Sequence, residues 1–204
     1  MENDPRYRNK TFDETSISTY LADYSRSLGD ALETVDGGEL EKALHAVVGA
    51  TEAGKRIHAI GNGGSAAIAD HLCCDWTKGT HHHEHKTVKA YSLNSNVALY
   101  TAVANDFGFE KVFSTQVNFY GEQGDVLIAI SSSGNSPNIL AGVEAAKALG
   151  IITIGMSGFK GGSLRDVADI SLHVDADNYG IVEDGHQALM HVLAQYIAKK
   201  RDKS

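Results

Sequence analysis

The feature that most constrains this chain is an alternation. Short apolar runs at residues 56–60, 88–93, 126–130, 151–154 and 170–174 are separated by stretches whose apolar residues recur at the helical period. Strands this apolar cannot leave a face to solvent, and strands that alternate with helices are joined by crossovers. The pattern therefore predicts a central parallel sheet covered by helices on both faces, a three-layer α/β/α sandwich. Two amphipathic helices precede the first strand, one carrying Ile17, Tyr20, Leu21, Tyr24, Leu28 and Leu32, the other Leu40, Leu44, Val47 and Val48. Further helices are expected through Trp76, through Ala104, over 113–120, over 135–149 and over 182–199. Residues 1–14 are polar without a period and read as a flexible arm, leaving residues 15–204 as one domain.

Charge and length narrow the function. There are 18 Lys and Arg against 26 Asp and Glu, a formal net charge of −8, which argues against a nucleic-acid or anionic-membrane footprint. Any phosphate must be held locally. No apolar run approaches a membrane span, no basic start leads into an apolar signal segment, and the two cysteines, Cys73 and Cys74, are adjacent and poorly placed to bridge each other. The expected setting is a reducing cytoplasm.

In an open parallel sheet ligands bind beyond the carboxyl ends of the strands, so the loops there matter most. The first strand runs into Gly61, Asn62, Gly63, Gly64 and Ser65 and then a helix; the third runs into Ser131, Ser132, Ser133, Gly134, Asn135 and Ser136 and then another. Glycines let a backbone approach an anion, helix starts offer unpaired N–H groups, and hydroxyls add donors. Either loop alone is explained by helix capping; the two together predict a phosphate monoester site. A dinucleotide site competes through Gly61, Gly63 and Ala66. The second strand, however, ends in Ser92, Leu93, Asn94 and Ser95, without the carboxylate that holds ribose hydroxyls, and the serine loop lacks the lysine of a P-loop. His71 and Asp75 stand at i and i+4, a metal-ligand or acid/base spacing, and the last helix carries Glu183, Asp184, His186 and His191. The tract His81, His82, His83 and His85 reads as a solvated loop.

The order and spacing of four blocks are similar to a known family. These are residues 61–65, Ala104-Asn105-Asp106-Phe107-Gly108 with Val112 and Phe113, Gly124-Asp125-Val126-Leu127, and residues 131–136. The chain resembles a sugar isomerase (SIS) domain, and within that group the phosphoheptose isomerases, which interconvert sedoheptulose 7-phosphate and D-glycero-D-manno-heptose 7-phosphate. The resemblance implies a homotetramer with the N-terminal helices packed in the oligomer and active sites near subunit contacts. It implies that Gly63, Gly64, Ser65, Ser131, Ser132, Ser133 and Ser136 hold the phosphate, with Asn62, Asp106 and Glu183 contacting the sugar. It also implies that His71, Asp75, Glu183 and His191 ligate a divalent metal, Zn²⁺ in the family, and that Asp75 and His191 form the acid/base pair.

Two positions depart from the family: it has a glutamate where this chain has Asp75 and a glutamine where it has Glu183. Two carboxylates add negative charge and favour harder metals. On one regular helix Glu183 and His191 stand about 12 Å apart, so the helix is expected either to start after Gly185 or to share the site with another subunit. His186 and Asp184 are the local substitutes. Some relatives of these isomerases are scaffolds, one binding the bacterial replication initiator, and lack the full acid/base set; a phosphosugar sensor is a further alternative. Retention of His71, His191 and a carboxylate at 75 favours an enzyme.

Overall fold

The computed structural model describes residues 12–203; most of the arm expected over 1–14 lies outside them. Phe12, at its inner end, is buried, with its ring centroid 5.0 Å from that of Tyr20 and 5.7 Å from that of Tyr24. Two helices come first, α1 (Ile17–Glu33) and α2 (Gly37–Glu52). Ser16 opens α1 with a capping box, its Oγ accepting from Thr19 N while its own N–H donates to Thr19 Oγ1. Asp36 caps α2 by accepting from Gly38 and Glu39 N–H.

The alternating part runs β1 (Arg56–Gly61), α3 (Gly64–Cys74), β2 (Lys89–Ser92), α4 (Val97–Phe107), α5 (Val112–Tyr120), β3 (Val126–Ser131), α6 (Pro137–Ala148), β4 (Ile152–Ser157), α7 (Gly162–Val167), β5 (Ile170–His173) and α8 (Tyr179–Arg201). A π-helical turn, Asp75–Gly79, continues α3. All five strands are parallel, in the order β2-β1-β3-β4-β5. The period-2 geometry of a strand sorts its side chains to two faces. Ile57 and Ala59 of β1 and Val126, Ile128 and Ile130 of β3 join a core with α1, α2, α3 and α8. Ile60, Leu127 and Ala129 join a second core with Val103, Phe113, Val117, Ile139, Val143 and Leu164 from α4 to α7. The expected α/β/α sandwich is present.

The structure adds two unexpected elements and moves one boundary. The stretch between β4 and β5 folds into α7, a six-residue helix too short to show a period. The π turn at Asp75–Gly79 has no sequence signal. And α8 starts at Tyr179, four residues before Glu183, with Asn178 accepting from Ile181 N at its start; it passes through Gly185 unbroken.

Buried polar groups tie the layers together. Asp125, 1% exposed, accepts from Arg56 N at 2.9 Å, Glu122 N at 3.0 Å and His58 Nε2 at 3.1 Å, fixing the entry to β3 against β1. Trp76 donates from Nε1 to Met190 O at 3.0 Å, and Tyr24 donates to Asp184 at 2.6 Å. Cys73 is partly buried, its thiol pushed up to about 12 mainly by that burial, while Cys74 is exposed.

His186, fully buried, has no hydrogen-bond partner on either ring nitrogen. Burial drives its pKa down to about 4. The unfolded chain takes up this proton below about pH 6.5, and the folded chain does not until about 4. The stability is thus fully present above pH 6.5 and falls by roughly 3 kcal/mol as pH drops to 4. Urea denaturation of His186→Leu across that range should show a pH slope shallower by this amount; an unchanged slope would refute the assignment.

Candidate active site

The loops after β1 and β3 lie side by side because β1 and β3 are neighbours. Reciprocal carboxamide bonds join them: Asn62 Nδ2 donates to Asn138 Oδ1 and Asn138 Nδ2 to Asn62 Oδ1, each at 2.9 Å. Gly61 packs so closely on the first turn of α3 that a Cβ would stand 2.3 Å from Ser65 O, and Gly63, at φ 55°, holds a turn that L side chains rarely adopt. The serine loop is braced from behind. Gly158 N donates to Ser132 O, Leu164 N to Gly134 O and Ser163 N to Asn135 Oδ1.

Between these loops is a cavity of about 310 Å³. Asn62, Gly63, Gly64, Ser65, Ser131, Ser132, Ser133, Ser136 and Glu183 line it, together with Ile130 and Tyr179. Ser131 and Ser136 hydroxyls are 3.2 Å apart, and the Ser132 hydroxyl is buried with no partner. An orphaned hydroxyl beside two helix starts is a donor waiting for an acceptor, which is what an anion supplies. The Glu183 carboxyl packs against the Cα of Gly64, where a Cβ would meet it at 2.4 Å. Burial first, then Asp184, holds this carboxyl above its ordinary pKa.

A second cluster lies two turns further along α3 and α8. His71 Nε2 is 3.5 Å from Asp75 Oδ1, His191 Nε2 is 3.3 Å from Asp75 Oδ2, and the two imidazole centroids are 5.1 Å apart. These three are the only group among the described residues whose ligand atoms converge, all within 4.8 Å. An ion with bonds of 2.0–2.2 Å to tetrahedral ligands separates them by about 3.3–3.6 Å, so two imidazoles and a carboxylate whose ligand atoms lie within 4.8 Å of one another suit a divalent metal after a small closing movement. Glu183 is outside this cluster and in the anion cavity instead. The two local substitutes do not join it either: His186 is sealed in the core and Asp184 accepts from Tyr24. Asp106, near the end of α4, accepts from Asn105 Nδ2 and does not line the cavity of its own chain. The His81–His85 tract forms an exposed turn with His82 stacked on His83.

Sequence reasoning missed Asn138, Tyr179 and Gln187. Gln187 was legible in principle, since residues 183, 187 and 191 share one face of a helix; nothing in the sequence marks the other two.

Comparison with known proteins identifies the family. The SIS domain family model matches residues 19–158. The chain belongs to the SIS domain family. It is 38% identical to the phosphoheptose isomerase of Helicobacter pylori over 92% of this chain and 96% of that one. To that of Citrifermentans bemidjiense it is 35% identical, over 79% and 83%. The structure of the phosphoheptose isomerase from Neisseria gonorrhoeae superposes with a TM-score of 0.82 at 30% identity, covering 90% of this chain and 97% of that one.

The brace behind the serine loop leaves no room at Gly134, where φ is +66° and a Cβ would stand 1.8 Å from Gly161 O. Gly134→Ala should therefore cost at least about 2 kcal/mol in urea denaturation and weaken binding of inorganic phosphate. A variant as stable as the parent would mean that the loops are not clamped.

Proposed function

We infer that this chain is a phosphoheptose isomerase, interconverting sedoheptulose 7-phosphate and D-glycero-D-manno-heptose 7-phosphate. The observation that carries the reading is the pairing of an anion cavity with a His, Asp, His cluster two turns further along the same two helices. From Gly64 to His71 and from Glu183 to His191 the helices advance about 10 and 12 Å, a span that an extended seven-carbon phosphate bridges and a triose phosphate does not.

The phosphate is assigned to Ser65, Ser131, Ser132, Ser133 and Ser136 with the Gly63 and Gly64 backbone, and the sugar hydroxyls to Asn62 and Glu183. Holding the remote phosphate places the reacting carbons. Asp75 acts as base on the proton α to the carbonyl, and His191 moves protons between O1 and O2. His71, Asp75 and His191 would hold a divalent ion, zinc being our assignment. Such an ion supplies Lewis-acid stabilisation of the enediolate oxygens. Asp75 has one oxygen towards each histidine, and the same carboxylate would both help hold the ion and act as the base.

We assign Asp106 to the site of a neighbouring subunit in a homotetramer. Supporting an assembly, α1 exposes Ile17 and Leu21 and α8 exposes Val192 and Tyr196, large apolar side chains left uncovered in the single chain. No helix among the described residues is long and apolar enough to cross a membrane, and we assign the enzyme to the cytoplasm, where sugar phosphates are made.

Incubation of metal-replete protein with sedoheptulose 7-phosphate in deuterium oxide should give aldose signals with deuterium at C2 by NMR. Asp75→Asn should lower kcat by 10²-fold or more, and intact turnover would remove Asp75 as the base. Ser132→Ala should act mainly on KM, a pure kcat effect contradicting its place at the phosphate. Phosphate-dependent binding with neither product nor exchange would instead favour the sensor or scaffold reading.

A further inference from the structure

His71 is engaged at both ring nitrogens. Its Nε2 faces Asp75 at 3.5 Å, while Nδ1, on the opposite side of the ring, is 2.8 Å from the carboxamide nitrogen of Gln187. Gln187 lies partly buried on α8, one turn before His191, and the same nitrogen is 3.4 Å from His191 Nε2. We propose that Gln187 is the positioning residue of the metal cluster, fixing the tautomer and tilt of His71 from behind the ligand set. This rests on the metal-binding part of the reading above.

The shorter of the two Gln187 contacts bears on its role. The contacts of His71 Nε2 to Asp75 Oδ1 at 3.5 Å and of His191 Nε2 to Asp75 Oδ2 at 3.3 Å lie near the spacing of about 3.3–3.6 Å between ligands around one ion. The 2.8 Å contact to His71 Nδ1 is too short for that spacing and has the length of a hydrogen bond. An imidazole that ligates through Nε2 must carry its proton on Nδ1, and that proton needs an acceptor, usually a carboxylate or a carbonyl oxygen.

A carboxamide serves either state. Without an ion its NH₂ donates to a bare Nδ1. With an ion on Nε2, a half-turn about the last side-chain bond presents the carbonyl oxygen to Nδ1–H. Being neutral, it does this without adding a third carboxylate to a site that already has Asp75 and, two turns away on the same helix face, Glu183.

The test is zinc affinity, measured on the full chain by competition with a chromophoric chelator for the parent, Gln187→Leu and Gln187→Glu. Circular dichroism melting and inorganic phosphate binding serve as controls for folding. The leucine variant should bind zinc 10- to 100-fold more weakly with phosphate binding unchanged, and the glutamate variant, which restores an acceptor, should regain the parental affinity or exceed it. In ¹⁵N-detected imidazole spectra of the zinc form, His71 should carry its proton on Nδ1 in the parent and lose that single signature in the leucine variant.

A leucine variant within twofold of the parent would overturn the proposal, as would equal losses in both variants, which would indicate packing alone. Loss of a ligand in the visible spectrum of the Co²⁺-loaded leucine variant would put Gln187 among the ligands and overturn the positioning role. A parent that takes up no zinc would overturn this proposal and the metal assignment together, leaving the isomerase reading to the deuterium exchange experiment.

Discussion

Everything at the carboxyl edge of the sheet depends on β1 lying directly beside β3. The ladder from Ile57 opposite Val126 to Gly61 opposite Ile130 brings two strands that are 65 or more residues apart in sequence to the same height, so their loops leave together. It is also where the sheet changes direction: β2 was laid outside β1, and β3, β4 and β5 were added on the other side. Connections diverge at such a point and leave a crevice between them. The Asn62 and Asn138 carboxamides tie its two sides together, and Asp125 secures the opposite end of the same strand pair by accepting from Arg56 N and His58. The cavity is a property of the topology before it is a property of its serines.

The second half of the site depends on α3 crossing α8. Ile68 and Leu72 on one helix and Leu189, Met190 and Leu193 on the other share a buried core, and the Trp76 indole donates to Met190 O just where α3 loosens into the π turn. That bond holds the end of α3 against the middle of α8, so His71 and Asp75 face Gln187 and His191. Asp75 sits at the junction of the α and π turns, a position at which the backbone is wider than in a regular helix. Departures of this kind often accompany function, and here the wider turn carries a carboxylate one methylene shorter than the family's.

The sheet was legible because burial on both faces leaves unmistakable apolar runs, and the phosphate loops because glycine and serine between a strand and a helix have few other uses. The cluster was legible for the pairs that one helix creates: His71 with Asp75 is a local spacing. Across helices, His191 was named through the family resemblance and does join the pair, whereas Glu183 does not. Glu183 and His191 were expected to meet, yet a regular α8 keeps them two turns apart, and the residue between them, Gln187, fills the gap. Asn138 and Tyr179 enter the site through tertiary placement alone, and α7 is too short for periodicity to register.

Glu183 shows how a departure from the family can be absorbed. Among the residues lining the cavity it is the sole ionisable carboxyl, and no lysine or arginine accompanies it. Burial, then Asp184, already raise its pKa, and an arriving phosphate dianion pushes in the same direction, since like charges disfavour ionisation. A carboxyl that keeps its proton offers one O–H donor and a carbonyl acceptor. The carboxamide of the family's glutamine also pairs a donor with an acceptor, at the same reach. Burial and Asp184 oppose the charge on Glu183, and the cradle of neutral hydroxyls and helix starts contains no lysine or arginine that would restore it, so a phosphate proposed for this cavity meets less fixed negative charge than a solvated glutamate would present.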